Sequence, residues 1–336
     1  MIITVKKAIL HILDAVSGVT VYSDEEIDVS NESICAFIIK HIEKIYDEPG
    51  AREGEFNDAS GFKYHLSEYI KGETGFCKFT QFVSEKLYDG ISSAEKSMSC
   101  DLIIEECVIN EKEVTAVLKC DNKPGYTHQV FQENGAIRNE IINHYAILPS
   151  PSGTISEYAF IDMNDFKIKC KGKKVNIDGE SLDIMADVML ECVYDISSKE
   201  SFNAMNKIAK KISEDNGADS IETSAKIKKF VTESISEADE YIEPVEFADA
   251  VFDNSPAMRK EFVEKTREAS VPEKVKMNDY IGKKATKNIK IVTDTGIEIS
   301  FPAEYYRDEE HISIINNPDG TLRIQINNIG EITNKL

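Results

Sequence analysis

Residues 274–291, KVKMNDYIGKKATKNIKI, hold six lysines and one acid in a chain whose formal net charge is −21. A lysine ammonium is a point charge that neutralises a phosphate and displaces its counterion. A lysine cluster therefore gives affinity for a polyanion without reading bases. Widening the window to residues 256–290 gives ten Lys and Arg against five acids, a local charge of +5 that leaves −26 for the remainder. The candidate phosphate contacts are Lys274, Lys276, Lys283, Lys284, Lys287 and Lys290, helped by Arg259, Lys260, Lys265 and Arg267. Gly282, within YIGKKATKN, suggests a loop exposing amides and lysines together. A solvated loop without a ligand is the competing reading.

The other basic stretches are weaker candidates. In KIKCKGKK, residues 167–174, strand alternation puts Lys167, Lys169 and Lys171 on one face, which reads as a solvated hairpin flanked by acids such as Asp162 and Asp165. Lys207, Lys210, Lys211, Lys226, Lys228 and Lys229 have acids close by in sequence and read as ordinary helix surface. Asp162, Asp165 and Lys167 have the acid–lysine spacing of some metal-dependent nucleases, a pattern that a highly charged chain also generates by chance. GETGFCKFT lacks the adjacent Gly-Lys of a phosphate loop, and no G-x-G-x-x-G, G-x-S-x-G, C-x-x-C or H-E-x-x-H occurs. Cys100 and Cys107 are seven apart in an expected strand and so point to opposite faces, which argues against a shared zinc. His41 falls on an apolar helix face and reads as a core or boundary residue. We expect no catalytic residue, no metal and no cofactor.

Positioning these residues requires folded elements. Both charge signs are interspersed, 41 % of the residues are hydrophobic, and 336 residues exceed one small core. Seven scattered cysteines read as reduced thiols of a cytoplasmic protein, and neither a secretory signal nor a membrane span is expected. KKAILHIL predicts a first strand; Ser30 is placed to cap a helix with Ile34, Phe37, Ile38, His41, Ile42 and Ile45 on one face. AREGEFNDASG reads as a loop, and two further helices follow. From Cys100 the period changes to strands, with turns at Asn110-Glu111-Lys112 and Asn134-Gly135. Near Ser198 the helical period returns, with Glu243-Pro244 and Ser255-Pro256 as helix starts, and the chain closes in strands that turn at Thr295-Gly296 and Pro318-Asp319-Gly320. The expected class is α+β: an N-terminal domain of helices and an antiparallel sheet over 1–198, then a helical segment with a small antiparallel sheet over 199–336, the candidate DNA-binding region.

Along most of its length the chain resembles the bacterial nucleoid-associated proteins of the NdpA/YejK type. The resemblance is carried by KKAILHIL, GFCKFTQFVSEKL, LIIEECVINEKEVTAVLKC, EYAFIDMND, SKESFNAMNKIAKKI, PVEFADAVF and YIGKKATKNIKIVTDTGIEISFPAEYY. It implies a cytoplasmic protein located on the nucleoid that binds double-stranded DNA, is acidic overall, has no assigned catalytic residue and engages chromosome-handling proteins such as type II topoisomerases. Two readings stand: phosphate-backbone DNA binding with little sequence preference, or an acidic adaptor docking a basic partner of the topoisomerase kind. Homo-oligomerisation, most simply a dimer, would double a modest basic patch on one duplex.

Overall fold

The computed structural model describes residues 1–336 except 134, 219, 287, 303–304, 306–309, 318–320 and 332–336. The chain divides into two compact units, Met1–Asp195 and Ile196–Leu336. The class is mixed α+β with antiparallel pairing in every sheet, as the change of period along the sequence predicts.

The first unit contains β1 (Ile3–Asp14), β2 (Val19–Val21), α1 (Glu32–Ile45), β3 (Arg52–Phe56), α2 (Gly61–Ile70), α3 (Phe76–Ser93), β4 (Ser99–Ile109), β5 (Lys112–Asp121), β6 (Lys123–Glu133), β7 (Ala136–Ile147), β8 (Glu157–Asp162), β9 (Ile168–Lys171), β10 (Lys174–Ile177), β11 (Glu180–Asp183), a π-helical turn (Ile184–Leu190) and β12 (Cys192–Tyr194). Eight strands form one sheet in the order β12-β3-β9-β8-β5-β4-β1-β2. Both faces of its centre are covered, which is why β4 and β5 read as near-continuous apolar runs rather than alternating ones. On one face Leu102, Ile104 and Val117 pack with Phe62, Phe79, Val83 and Leu87 of α2 and α3. On the other Ile103, Ala116 and Leu118 meet Ile38, Ile42 and Ile45 of α1. Each such side chain contributes ~1.5–3 kcal/mol on burial. Cys100 lies in the first layer and Cys107 in the second, the opposition expected from their spacing.

Three local readings change. AREGEFNDASG is not all loop: its first half is β3, paired to β9 and β12 inside the large sheet. Its glycine is what admits it there, because a Cβ on Gly54 would lie 2.5 Å from the Val193 carbonyl. Asn31, not Ser30, caps α1, its Oδ1 accepting from the backbone N–H of Ser33 and Ile34. Asp165 lies in the turn after β8, where its carboxylate accepts from the Lys167 amide at 2.9 Å, rather than on a strand. The Asn110-Glu111 turn has positive φ at both residues, 46° and 70°, as a two-residue hairpin turn requires.

The second unit contains α4 (Ser198–Asp215), α5 (Ser220–Ser236), β13 (Tyr241–Ile242), α6 (Pro244–Val251), α7 (Pro256–Glu268), β14 (Val275–Lys276), α8 (Asp279–Thr286), β15 (Ile289–Val292), β16 (Glu298–Phe301), β17 (Ile312–Asn316) and β18 (Leu322–Ile326). A capping box between Ser197 and Glu200 starts α4. Prolines at the first helical position start α6 and α7. Phe202, Met205, Phe247, Phe262 and Ile281 make the core of the helices. Gly296, at φ +84°, turns β15 into β16; Asn134 and the turn 318–320 lie outside the described residues, although β6–β7 and β17–β18 pair on either side of them. The expected basic loop is a correction: YIGKKATKN is mostly helix α8, because Asn278 caps it through its Oδ1 and Ile281 anchors it in the core.

Candidate nucleic-acid interface

The second unit carries the smaller share of negative charge. It has 20 Lys and Arg against 26 Asp and Glu, −6, where the first has 19 against 34, −15. Within it, five of the ten predicted phosphate contacts are engaged by carboxylates. Arg259 pairs with Asp249 at 3.0 Å, Lys260 with Glu264 at 3.8 Å and Lys265 with Glu261 at 2.5 Å. Lys274 pairs with Glu243 at 3.5 Å, and Lys290 with Glu298 at 2.7 Å across the β15–β16 pair. Exposed pairs of this kind are worth little, ~0–1 kcal/mol, so a phosphate could compete for the cation, yet each pair cancels local charge. Arg267 shares a shallow groove between α6 and α7 with Arg259, Lys260, Asp249 and Glu264. Lys276 on β14 and Lys283 on α8 are exposed, and Lys287 lies outside the described residues. The ten residues are thus spread over several elements rather than gathered in one loop.

Lys284 behaves differently. Its position on α8 turns it toward α4, where its Nζ donates to Asn203 Oδ1 and lies 5.4 Å from the centre of the Tyr280 ring. Tyr280 also donates to Asn203 Oδ1, at 3.0 Å, and Lys199 stands 5.2 Å over the same ring. Burial by itself would raise the Tyr280 phenol. The hydrogen bond with Lys284 and the charges of Lys284 and Lys199 outweigh that and hold it below its ordinary value.

Beside this group lies a cleft between α4, α5 and α8. Phe202, Ile227 and Val231 form its apolar wall, and Lys210, Lys228 and Lys284 all line it. Asn206 and Ser224 add neutral polar groups, and among the described residues lining it none is acidic. Burial, and then the charge of Lys210, lower the Lys228 ammonium below its ordinary value. The α4 residues Lys199, Asn203, Asn206 and Lys210 recur every three or four positions, so they share one helix face.

Lys210 and Lys228 read as ordinary helix surface in the sequence. That reading holds for Lys226, paired with Asp253 at 2.6 Å and Glu222 at 3.5 Å, and for Lys229, 3.8 Å from Glu233. Lys210 and Lys228 line the cleft, a placement that closeness in sequence does not show because it does not say which helix face a residue occupies. The detectable signal was the acid-free 199-203-206-210 series.

The remaining sequence candidates are accounted for in the first unit. Lys167 and Lys171 pair with Glu55 and Glu48, Lys169 lies 3.4 Å from Asp47, and Lys173 is 3.2 Å from Asp121. The acids flanking the basic strand come from other strands and from the end of α1, not from Asp162 and Asp165. Asp162 caps its own turn and stands 3.5 Å from Lys112. His41 is buried on α1 with Nε2 3.3 Å from the Pro149 carbonyl. Among the described residues no three His, Cys, Asp or Glu side chains gather as metal ligands, and no helix is long and apolar enough to cross a membrane.

The chain is thus an acidic α+β protein whose less acidic helical unit carries a cleft lined by three lysines. The chain belongs to the family described as nucleoid-associated protein YejK, whose model matches residues 9–335. No curated protein matches it in a sequence comparison.

Proposed function

We propose that this nucleoid-associated chain binds double-stranded DNA through its phosphate backbone, with little sequence preference and without catalysing a reaction on it. The observation that carries the reading is the gathering of Lys210, Lys228 and Lys284 from three helices in one cleft, bordered by Lys199, in a chain of net charge −21. Lys276, Lys283, Lys274 and Lys290 extend the contact surface. The strongly negative first unit would be repelled by the duplex, so binding through the second unit also fixes orientation. The setting is the bacterial cytoplasm, at the nucleoid. Self-association into a dimer would bring two such surfaces to one duplex.

The decisive experiment is a salt titration of binding to a mixed-sequence duplex. With about four phosphates contacted, log affinity falls with log salt at a slope of roughly −4. Replacing Lys210, Lys228 and Lys284 together by Ala flattens that slope by up to about 3 and weakens all sequences alike. Replacing Arg259, Lys260 and Lys265, whose charges are already paired, changes it by less than 1 or so. A cleft variant that folds and binds like the wild type would sink this reading. The adaptor reading would then lead, in which the −15 unit docks a basic partner such as a type II topoisomerase.

A further inference from the structure

Strands β6 and β7 form a ribbon that belongs to neither core of the first unit. Among the described residues they pair only with each other, in a two-stranded sheet with register running from Glu133↔Ala136 to Lys123↔Ile147. None of their residues joins either apolar layer of the large sheet. A two-stranded ribbon of this length is at best marginally stable alone in water, so its two faces decide whether it persists.

The register separates those faces. Phe131 and Arg138 are directly opposite on one, with the guanidinium 5.7 Å from the ring centre and 2.8 Å from Glu140. On that face Phe131 is half-buried beside Arg138. The other carries Tyr126, His128, Val130 and Gln132 opposite Asn143, Ile141, Asn139 and Ile137. Here Tyr126 is 74 % exposed, Val130 59 %, Ile137 71 % and Ile141 81 %. Four large apolar side chains on one face of one ribbon are not scattered surface residues; they form a contiguous patch of the kind that marks an interaction site.

Charge selects the occupant. The apolar face has no Lys, Arg, Asp or Glu, so it offers nothing to a phosphate backbone and nothing to a basic protein. The whole ribbon is neutral, with Lys123 and Arg138 against Glu133 and Glu140, inside a unit of charge −15. Two acidic copies repel through most of their surface. A neutral apolar face is where they can approach, and a face that meets its own copy about a two-fold axis needs no other complement. The four side chains expose on the order of 500 Å² per copy, so a face-to-face pair reaches the ~1,000 Å² that a specific interface requires.

We propose that this face of the β6–β7 ribbon is the interface of a homodimer. The assignment rests on the self-association included in the function above and adds its location. It is tested by sedimentation velocity at micromolar concentration on the full-length protein and on the variant Ile137→Glu/Ile141→Glu. The wild type is expected to sediment as a dimer. The variant is expected to be a monomer with unchanged circular dichroism, its dimer dissociation constant raised at least ~100-fold. Hydrogen exchange on the wild type gives a second reading that needs no variant: ribbon amides become more protected as concentration rises through the dimer range. A monomeric wild type overturns the dimer and its location together. A variant that stays dimeric, or ribbon protection independent of concentration, overturns the location alone. Protection that appears only on adding duplex DNA overturns it in favour of nucleic acid.

Discussion

Two buried residues set opposite pH dependences. Glu105 on β4 is fully buried, neither carboxylate oxygen has a hydrogen-bond partner among the described residues, and burial pushes its carboxyl well above the ordinary 4.5. Asp101, four positions earlier on the same face, is raised by burial as well. A raised carboxyl favours the fold below about pH 4.5, and that stability is lost as pH rises toward the folded-state value. Glu105→Gln should flatten this decline, and Glu105→Leu should raise the melting temperature at pH 8 more than at pH 5. An equal shift at both would show that Glu105 is ionised in the fold. His11 works the other way. Its Nδ1 accepts from the Ser23 amide at 3.1 Å and burial lowers its value to about 4, so folding holds it neutral. Stability from this residue is present above its ordinary 6.5 and is lost as pH falls toward 4. His11→Asn should make the acid limb of a melting-temperature profile shallower, and an unchanged limb would contradict the assignment.

At the scale of elements, the large sheet holds an ion pair in its interior. Lys119 on β5 is directly opposite Glu157 on β8, 2.6 Å away, with 1 % and 4 % of the side chains exposed. Burial alone would lower the Lys119 ammonium, but Glu157 and Asp121 hold it above its ordinary value. Breaking a buried pair leaves an uncompensated charge, so Lys119→Met should cost ~3 kcal/mol or more in urea unfolding. Lys119→Met/Glu157→Leu should recover most of that. A double variant as unstable as the single would show that the pair itself, rather than the orphaned charge, carries the stability. Gly172 is a second fixed point of the sheet. A Cβ there would lie 1.9 Å from Asp183 Oδ1, and Arg52 holds that carboxylate at 2.7 Å, so Gly172→Ala must displace the buried pair.

For the whole molecule, salt should act on the two proposed associations in opposite directions. Contacts to phosphate weaken as salt rises, because each released counterion gains less entropy in more concentrated salt. Association of two copies of a −21 chain through a neutral face strengthens, because salt screens their mutual repulsion. Raising salt from about 50 to 500 mM should therefore reduce DNA affinity while lowering the dimer dissociation constant. Sedimentation and DNA titration over one salt series check both. A dimer that dissociates with salt would mean that ion pairs hold the interface, which the uncharged ribbon face does not allow.

The sequence by itself determined the class of fold, most of the elements and the segregation of charge, because these follow from local patterns. Period change marked the passage from helices to the β4–β5 hairpin and back at α4; proline and capping residues marked α6 and α7; the spacing of Cys100 and Cys107 gave opposite sheet faces. Where a residue's partner is distant in sequence, those patterns are silent. Gly54 looked like loop because its place beneath the Val193 carbonyl is set by a strand about 140 residues on. Gly282 looked like a loop breaker because Ile281's burial in the helical core, which stabilises α8, is invisible locally. Arg259 looked available because Asp249, which pairs with it, lies ten residues away on another helix. Lys210, Lys228 and Lys284 come from three helices, and only tertiary packing could bring their charges to one cleft, or leave the apolar face of the β6–β7 ribbon uncovered.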